Sequence, residues 1–348
     1  MQVGFLITGD ASRQTGGYLY DRHLIEFLRR QGCRVDVISV GNIWTGRSLL
    51  SPLWLWATHV HHRYDVLLED ELAHAALWLF NRYVHAAGSP RVIAIVHALR
   101  YRMLTRSWRQ WLSRTLERQM LIPVERIVTV SQHLKTELTQ LGLPDACIHV
   151  VPPGVTLPAS IATRPPSAER IQLLCVANCL PGKGLHVLLD ALHRVQDSRL
   201  RLTVVGDDRV DPAYTRSLQG LLARWTLGPQ VRFTGTVPWE TVAHFYAGAD
   251  IFVFPSLFEG FGMVLAEAMS FGVPIIASAA GAIPELVQDG ENGVLVPPND
   301  ADALAEAIVR LAADAPLRHR LGKSGRARAE RLPSWEQSAH AIWTLMQG

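Results

Sequence analysis

The sequence is poor in the features that mark secreted, membrane-spanning and nucleic-acid-binding proteins. Its four cysteines have neither disulfide-framework nor zinc-site spacing, which predicts reduced thiols. It contains no run of about 18 apolar residues, so we expect no transmembrane helix. Its first residues lack the basic segment of a signal peptide and instead predict a buried strand. No nucleic-acid-binding motif is recognisable, so nucleic acid is not an expected partner. Together these absences predict a cytoplasmic protein.

The composition describes a globular chain with two differently charged halves. A length of 348 residues suits two domains, and 48% hydrophobic residues can fill two cores. The net charge is +3, but it is unevenly distributed. Residues 1–165 contain 18 Lys and Arg and 12 Asp and Glu, a net of +6, whereas the remaining residues have a net of −3. The basic half favours an acidic acceptor or an anionic membrane surface as a partner.

Apolar runs alternate with segments of helical periodicity along the whole chain, which predicts an α/β fold with parallel sheets. The predicted strands are Val3–Thr8, Val35–Val40, Asp65–Leu68, Val92–His97, Arg126–Val130, Ile148–Val151, Ile171–Ala177, Leu200–Val205, Val231–Thr234, Ile251–Phe254, Pro274–Ala277 and Gly293–Val296. The predicted helices are Leu19–Arg30, Leu72–His85, Leu104–Leu121, Gln132–Gln140, Leu185–Val195, Tyr214–Trp225, Thr241–Gly248, Met263–Phe271, Ala301–Ala313 and Ser334–Met346. A proline-rich stretch from Pro152 to Pro166 predicts a linker between domains at 1–157 and 166–330.

The segment Pro255–Ser278 contains two glutamates, Glu259 and Glu267, separated by seven residues and a glycine-bearing turn. A fully helical span of this length would separate the carboxylates by about 12 Å. A hydrolytic carboxylate pair needs about 5–9.5 Å, so the spacing does not favour a glycosidase. Two contacts along one extended ligand fit the spacing better. The strand, loop and helix start that the segment predicts are where α/β proteins bind phosphorylated ligands.

This segment resembles the signature of the retaining glycosyltransferases of family 4, P-S-x-x-E-G-F-G-x-x-x-x-E-A-M-x-x-G-x-P-V. The matching residues are Pro255, Ser256, Glu259, Gly260, Phe261, Gly262, Glu267, Ala268, Met269, Gly272 and Pro274. The resemblance implies the GT-B fold, in which two Rossmann-like domains face each other across a cleft. It implies that domain 1–157 binds the acceptor and domain 166–330 the nucleotide-sugar donor. It also implies that a closing helix at 334–347 packs back on the first domain.

The resemblance assigns roles to residues in both domains. It implies that Glu259 holds donor-sugar hydroxyls and that Glu267 holds the nucleotide ribose. The backbone amides of Gly262, Met263 and Val264 are expected to meet the donor at the helix start.

Five further residues are expected at the site, and one of them, Asn178, departs from the family pattern. Lys183 stands where the family has a lysine that neutralises the departing diphosphate, but Asn178 replaces the usual arginine beside it. His97 ends a predicted strand where the family has a histidine close to the donor sugar. Gly16 and Gly17 resemble the family's glycine loop, which approaches the donor phosphates and the acceptor. We therefore expect His97, Lys183 and Glu259 to be catalytic and the remaining positions to bind the donor.

The implied activity is transfer of a hexose-type sugar, with retention, from a UDP- or GDP-sugar to a hydroxyl acceptor. The acceptor is expected to be a glycan, a lipid-linked saccharide or a small metabolite. No cofactor and no metal are expected, since fixed cations and amides supply the charge stabilisation. The histidines at 59, 61 and 62 lack a Cys, Asp or Glu at ligand spacing. A nucleotide-sugar epimerase, a phosphorylase and a non-catalytic sugar-nucleotide-binding protein remain alternatives, although no motif for a pyridoxal phosphate lysine is present.

One more segment, Tyr101–Met120, has two interpretations. Its helical periodicity places Leu104, Trp108, Trp111, Leu112 and Thr115 on one face and Arg102, Arg106 and Arg109 on another. A basic face beside tryptophans predicts peripheral contact with the cytoplasmic face of an anionic membrane. The more ordinary interpretation is a helix whose apolar face covers the sheet and whose arginines lie in water. The apolar stretch Leu49–Ala57 is a candidate second contact.

Overall fold

A computed structural model of the protein describes residues 1–8, 16–40, 63–70, 74–88, 90–103, 107–158 and 170–348. The stretch Leu49–Ala57 and the histidines at 59, 61 and 62 lie outside the described residues. The chain divides into two compact units, one formed by Met1–Gly154 and Pro333–Gly348 and the other by Val155–Leu332. Each unit contains one six-stranded parallel sheet, which confirms the predicted α/β class.

The sheet of the first unit has the strand order β2-β1-β3-β4-β5-β6. Its strands are β1 Gln2–Thr8, β2 Arg34–Val40, β3 Val66–Asp70, β4 Arg91–Val96, β5 Arg126–Thr129 and β6 Ile148–Val150. Its helices are α1 Gly16–Arg30, α2 His74–Ala87, α3 Ser107–Leu121 and α4 Gln132–Gln140. The inner strands are buried along most of their length, as expected for a parallel sheet with both faces covered.

The sheet of the second unit has the order β12-β11-β10-β7-β8-β9. Its strands are β7 Ile171–Val176, β8 Leu200–Val205, β9 Val231–Phe233, β10 Ile251–Phe254, β11 Ile275–Ser278 and β12 Gly293–Val296. Its helices are α5 Leu185–Val195, α6 Pro212–Arg224, α7 Trp239–Gly248, α8 Met263–Ser270, α9 Ile283–Leu286, α10 Ala301–Ala313 and α11 Ala315–Ala329. Strand order reverses between β7 and β10, and ligands of open α/β sheets bind beyond the carboxyl ends of such strands.

The last helix, α12 (Trp335–Gln347), packs on α1 of the first unit. Ser334 begins it with a capping box, in which its hydroxyl accepts from the backbone of Gln337. Gly154 lies so close to this start that a Cβ there would stand 2.2 Å from the backbone nitrogen of Trp335. At its other end, Arg91 donates to the carbonyl of Met346 at 2.6 Å. These contacts hold the end of the chain on the first unit.

Two helices, α9 and α11, were not predicted from the sequence. The segment of α11 is rich in arginine and glycine and has no apolar stripe. Helix α11 packs through small residues against the segment that follows α8. A Cβ at Gly322 would stand 2.1 Å from the carbonyl oxygen of Gly272. Asp314, which caps its start, and Pro316 in its first turn were signals that could have found it. The predicted helix Leu104–Leu121 is observed from Ser107 to Leu121, and residues 104–106 lie outside the described residues.

Among the described residues, no helix combines the length and the apolar character that crossing a bilayer requires.

Candidate functional site

The loops that follow β7 and β10 lie directly against each other in the second unit. The loop after β7 ends in a 3₁₀ turn, Pro181–Lys183, followed by Gly184 in the left-handed conformation at φ 66°. A Cβ at Gly184 would stand 2.0 Å from the carbonyl oxygen of Pro255, so a glycine is required for this approach. The backbone of Leu257 donates to the carbonyl of Gly182 at 2.8 Å. The packing brings Lys183 to the start of the glutamate-containing segment.

Lys183 and Glu259 form an ion pair at this junction. The lysine Nζ donates to Glu259 Oε1, which also accepts a hydrogen bond from Ser256 Oγ at 2.9 Å. The lysine side chain is 30% exposed and the glutamate side chain 13%. The Nζ also lies 5.6 Å from the ring centroid of Phe254. The pair therefore places the solvent-accessible ammonium group of Lys183 next to the carboxylate of Glu259, which the buried hydroxyl of Ser256 orients.

Glu259 is fixed through its backbone as well as its side chain. The backbone of Ala282 donates to the carbonyl of Glu259 at 2.9 Å. The preceding residue, Gly281, has a positive φ of 58°, and a Cβ there would stand 2.2 Å from the Glu259 carbonyl oxygen. The loop after β11 thus holds the backbone of Glu259, whereas the lysine loop contacts its side chain.

Helix α8 begins immediately after this junction with backbone N–H groups available. Gly262 is its N-cap at φ 93°, and no described side chain caps the helix. Met263 and Val264 occupy its first two positions, whose N–H groups have no acceptor within the helix. Such a start favours an anion. The span from Glu259 to Glu267 is therefore a loop and then a helix, which confirms the predicted helix start at Met263.

Glu267 lies on α8 and has a buried partner that sequence reasoning missed. The hydroxyl of Tyr246 donates to Glu267 Oε2 at 2.8 Å. Burial raises the pKa of the Glu267 carboxyl to about 7, and the Tyr246 hydrogen bond opposes that rise. The tyrosine ring is fully buried and stacks on Phe271, with centroids 5.4 Å apart. The hydroxyl of Tyr246 within the apolar run Phe245–Ala249, shortly before β10, was the signal that the sequence offered.

Asn178 lies in the same loop as Lys183 but holds a neighbouring loop. Its Oδ1 accepts a hydrogen bond from the backbone of Asp207 at 2.9 Å, just beyond β8. The intervening Gly206, at φ 152°, would place a Cβ 2.2 Å from the carbonyl oxygen of Ala177. The side-chain oxygen of Asn178 is therefore used in positioning, which leaves its amide N–H groups as the part that can serve a ligand.

In the first unit, the structure brings the predicted glycines and His97 together. Gly16 and Gly17 begin α1, and a Cβ at Gly17 would stand 3.0 Å from His97 Cδ2. His97 Nε2 lies 3.1 Å from Oδ1 of Asp21, which was not predicted as a site residue. Asp21 follows Gly17 by four residues, one helical turn along the same face. The acid orients the imidazole, and the glycine makes room for it.

The other carboxylate oxygen of Asp21, Oδ2, is buried and accepts no hydrogen bond from any described residue. The ring of Tyr20 packs edge-on against His97 at 5.1 Å between centroids. Its hydroxyl donates to the carbonyl of Val151 at 3.0 Å. The imidazole of His97 is thus in contact with the ring of Tyr20 as well as with the carboxylate of Asp21.

Within the described ranges, no group of three or more His, Cys, Asp and Glu side chains could hold a metal ion. The absence of a metal requirement stays a prediction.

Comparison with known proteins links this geometry to a family. The model described as "Glycosyl transferases group 1" matches residues 160–328. The model described as "Glycosyl transferase 4-like domain" matches residues 5–154. The two matches together span nearly all of both units.

Two curated relatives agree with these matches. A D-inositol 3-phosphate glycosyltransferase from Xylanimonas cellulosilytica is 32% identical over 241 residues, which are 65% of this chain and 57% of that protein. A GDP-mannose-dependent α-(1-6)-phosphatidylinositol monomannoside mannosyltransferase from Mycolicibacterium smegmatis is 28% identical over 298 residues, covering 79% of this chain and 75% of that protein. The chain thus spans little more than half the length of the first of these relatives.

The fold is shared with solved structures across the whole chain. The Anabaena protein HepE, in complex with UDP-glucose, superposes with a TM-score of 0.83 at 20% identity, covering 100% of this chain and 99% of that one. Together with the two parallel sheets, this likeness confirms the GT-B class of fold. Matched in both halves by family models and similar to glycosyltransferases by sequence and fold, the chain belongs to glycosyltransferase family 4, among the group 1 glycosyl transferases.

Proposed function

We propose that the protein is a retaining glycosyltransferase that moves a hexose from a UDP- or GDP-sugar to a hydroxyl acceptor. The observation that carries the proposal is the Lys183–Glu259 pair beside the uncapped start of α8. The cation and the amides suit the diphosphate of a nucleotide sugar, and the carboxylate suits its sugar hydroxyls. The GDP-mannose dependence and inositol-containing acceptors in the relatives' names support a sugar nucleotide donor and a polyol or lipid-linked acceptor.

The proposed roles follow the chemistry of each group. Lys183 stabilises the charge that develops on the leaving diphosphate, and the amides of Met263 and Val264 bind its phosphate oxygens. Glu259 accepts hydrogen bonds from sugar hydroxyls, and Glu267 accepts them from the ribose. These roles need no nucleophilic side chain in the second unit.

The proposed reaction is a displacement on one face of the sugar. The acceptor oxygen bonds to the anomeric carbon while the bond from that carbon to the diphosphate oxygen breaks. The acceptor proton moves to a donor phosphate oxygen, so atoms and charges balance without a metal or a protein base. His97, oriented by Asp21, hydrogen-bonds a sugar hydroxyl during this step. The glycine pair Gly16-Gly17 lets the backbone approach the phosphates.

A thermal-shift screen in EDTA tests the proposal, using UDP-, GDP-, ADP- and TDP-hexoses and the matching free diphosphates. We expect stabilisation by a UDP- or GDP-sugar, followed by release of the diphosphate when an acceptor is added. Interconversion of the donor without release would indicate an epimerase, and binding without turnover a binding protein. A requirement for divalent metal would contradict the metal-independent part of the proposal.

The affinity for the donor should depend on pH through the ionisation of the Glu267 carboxyl. Because its pKa is raised to about 7, the carboxylate that accepts the ribose hydroxyls forms as pH rises through 7. Donor affinity should therefore increase between pH 6 and pH 8. Tyr246→Phe removes a hydrogen bond that stabilises the carboxylate, so the midpoint should move to higher pH while the stacked ring keeps its packing. Calorimetric titration at several pH values measures both effects; identical pH curves for the two proteins would refute the role of Tyr246.

Substitution of Asp21 should affect the chemical step more than donor binding. Asp21→Asn keeps the shape of the side chain but removes the charge that orients His97. We expect kcat to fall by about 10²-fold with little change in donor KM, as for a group that acts by positioning a polar partner. Asp145→Asn, at an exposed site in the same unit, is the matched control. A change in KM alone would contradict the assignment.

A further inference from the structure

The helix α3 exposes the residues that its amphipathic pattern would place in the core. Trp111 is 68% exposed, Trp108 58% and Leu112 40%. These residues follow the i, i+3, i+4 spacing of one helix face, which we call the tryptophan face. The face that α3 buries is instead formed by Ser113, Glu117, Met120 and Leu121. The interpretation in which the tryptophans cover the sheet is therefore wrong, and the tryptophan face needs another explanation.

The surroundings of the tryptophan face carry positive charge. The guanidinium of Arg109 lies 5.2 Å from the ring centroid of Trp108. In the preceding 3₁₀ turn, Arg102 lies 5.2 Å from the ring of Tyr101, and Arg114 of α3 lies 6.0 Å from the same ring. Aromatic rings flanked by guanidinium groups combine an apolar surface with fixed cations.

The acid of α3 itself lies on the buried side of the helix, and Arg102 of the preceding turn is paired with Glu137 of α4. The one acidic residue of the helix, Glu117, is buried, where it accepts hydrogen bonds from Ser113 Oγ at 2.6 Å and from the backbone of Tyr101 at 3.1 Å. The described residues of α3 thus expose arginines and tryptophans and keep their acid inside.

The neighbouring helix extends the apolar exposure. Helix α2 packs on α3, and its Leu79 and Tyr83, one turn apart, are 51% and 42% exposed. Ile122, directly after α3, is also exposed. Contiguous apolar patches on the surface of a monomer, unlike single exposed apolar residues, mark interaction sites.

We propose that the tryptophan face docks the protein on an anionic lipid bilayer. Tryptophan is enriched at membrane interfaces because its ring is apolar and its N–H is polar, and arginines add attraction to acidic headgroups. A helix lying in the interface plane needs an apolar face with basic flanks, which is what α3 presents. A protein partner with an acidic, apolar groove is the competing occupant. The net charge of +6 over residues 1–165 favours the bilayer, because an extended surface meets the whole charge and not one groove.

Vesicle flotation tests this docking independently of the proposed transfer, since it requires no donor. The full chain is mixed with phosphatidylcholine vesicles that contain either 30% phosphatidylglycerol or none. We expect flotation with the anionic vesicles only, and its loss as NaCl is raised, because exposed charges are screened. Failure of the wild type to float with anionic vesicles would overturn the proposal.

Two variants separate docking from folding. Trp108→Ser combined with Trp111→Ser should reduce the bound fraction at least tenfold, while the thermal midpoint stays within a few degrees because both rings are exposed. Trp239→Ser removes an exposed tryptophan of the second unit and is the matched control. Equal flotation of the double variant and the wild type would refute the role of this face. Light scattering that shows a wild-type dimer and a monomeric double variant would identify a second copy as the occupant instead.

Discussion

Replacement of Lys183 by alanine should lower kcat/KM for nucleotide-sugar turnover by about 10²–10³-fold, the loss typical when one fixed donor to developing negative charge is removed. The lysine is positioned by the 3₁₀ turn that ends in Gly184 and by its ion pair with Glu259. With Asn178 at the position of the family's arginine, this lysine is the fixed cation that the β7 loop offers to the diphosphate. The effect should appear mainly in kcat, because the charge it stabilises develops as the bond breaks.

The control for this experiment is Lys323→Ala. Lys323 is exposed on α11 of the same unit, so its removal changes the net charge equally without touching the proposed site. Single-turnover rates with the best donor from the thermal-shift screen would measure both variants. Wild-type rates for Lys183→Ala would remove the lysine from the mechanism. Equal losses in both variants would point to a general charge effect.

Replacement of Glu259 by glutamine should lower kcat/KM by about 10²-fold through loss of sugar binding. The amide keeps the volume of the side chain but cannot accept hydrogen bonds at both ends, so Lys183 and Ser256 lose a charged partner. In the proposed binding mode the free diphosphate contacts Lys183 and the helix start and not Glu259, so its affinity should change less than threefold. The difference between sugar nucleotide and free diphosphate is therefore the diagnostic quantity.

Calorimetric titration of the sugar nucleotide and of the free diphosphate would measure this difference in affinity for the wild type, Glu259→Gln and Glu291→Gln. Glu291 is exposed in a turn of the same unit and supplies the matched control. Donors lacking one sugar hydroxyl should bind the wild type more weakly and bind Glu259→Gln no worse than the complete donor. An equal loss of affinity for the free diphosphate would show that Glu259 acts by orienting Lys183, and it would contradict the assignment of Glu259 to the sugar.

Most of the fold could be predicted because buried parallel strands are short apolar runs. Each predicted strand lies within two residues of an observed one; Ile251–Phe254 and Gly293–Val296 match in both bounds. The predictions failed for helices in which the buried residues are not the apolar ones. Helix α11 packs glycines, and α3 buries a serine and a glutamate while exposing two tryptophans.

The site was predictable residue by residue, but not as a set of contacts. Lys183 and Glu259 were both named, although their ion pair joins residues 76 positions apart that no spacing argument connects. The supporting groups Asp21, Ser256 and Tyr246 were missed or left without a role, because each acts through a tertiary hydrogen bond. Polar side chains that orient others carry no periodic signal. They become visible only when the elements that hold them are packed.

The most direct test of the proposed activity is proton NMR of the transfer reaction in EDTA, started with an α-linked UDP- or GDP-hexose and a polyol or lipid-linked acceptor. The account predicts that the free diphosphate appears together with a product whose first anomeric signal has the one-bond C1–H1 coupling of an α linkage, which distinguishes the anomers of manno- as well as gluco-configured sugars. A product with the β coupling, or no release of diphosphate from any tested donor, would contradict it.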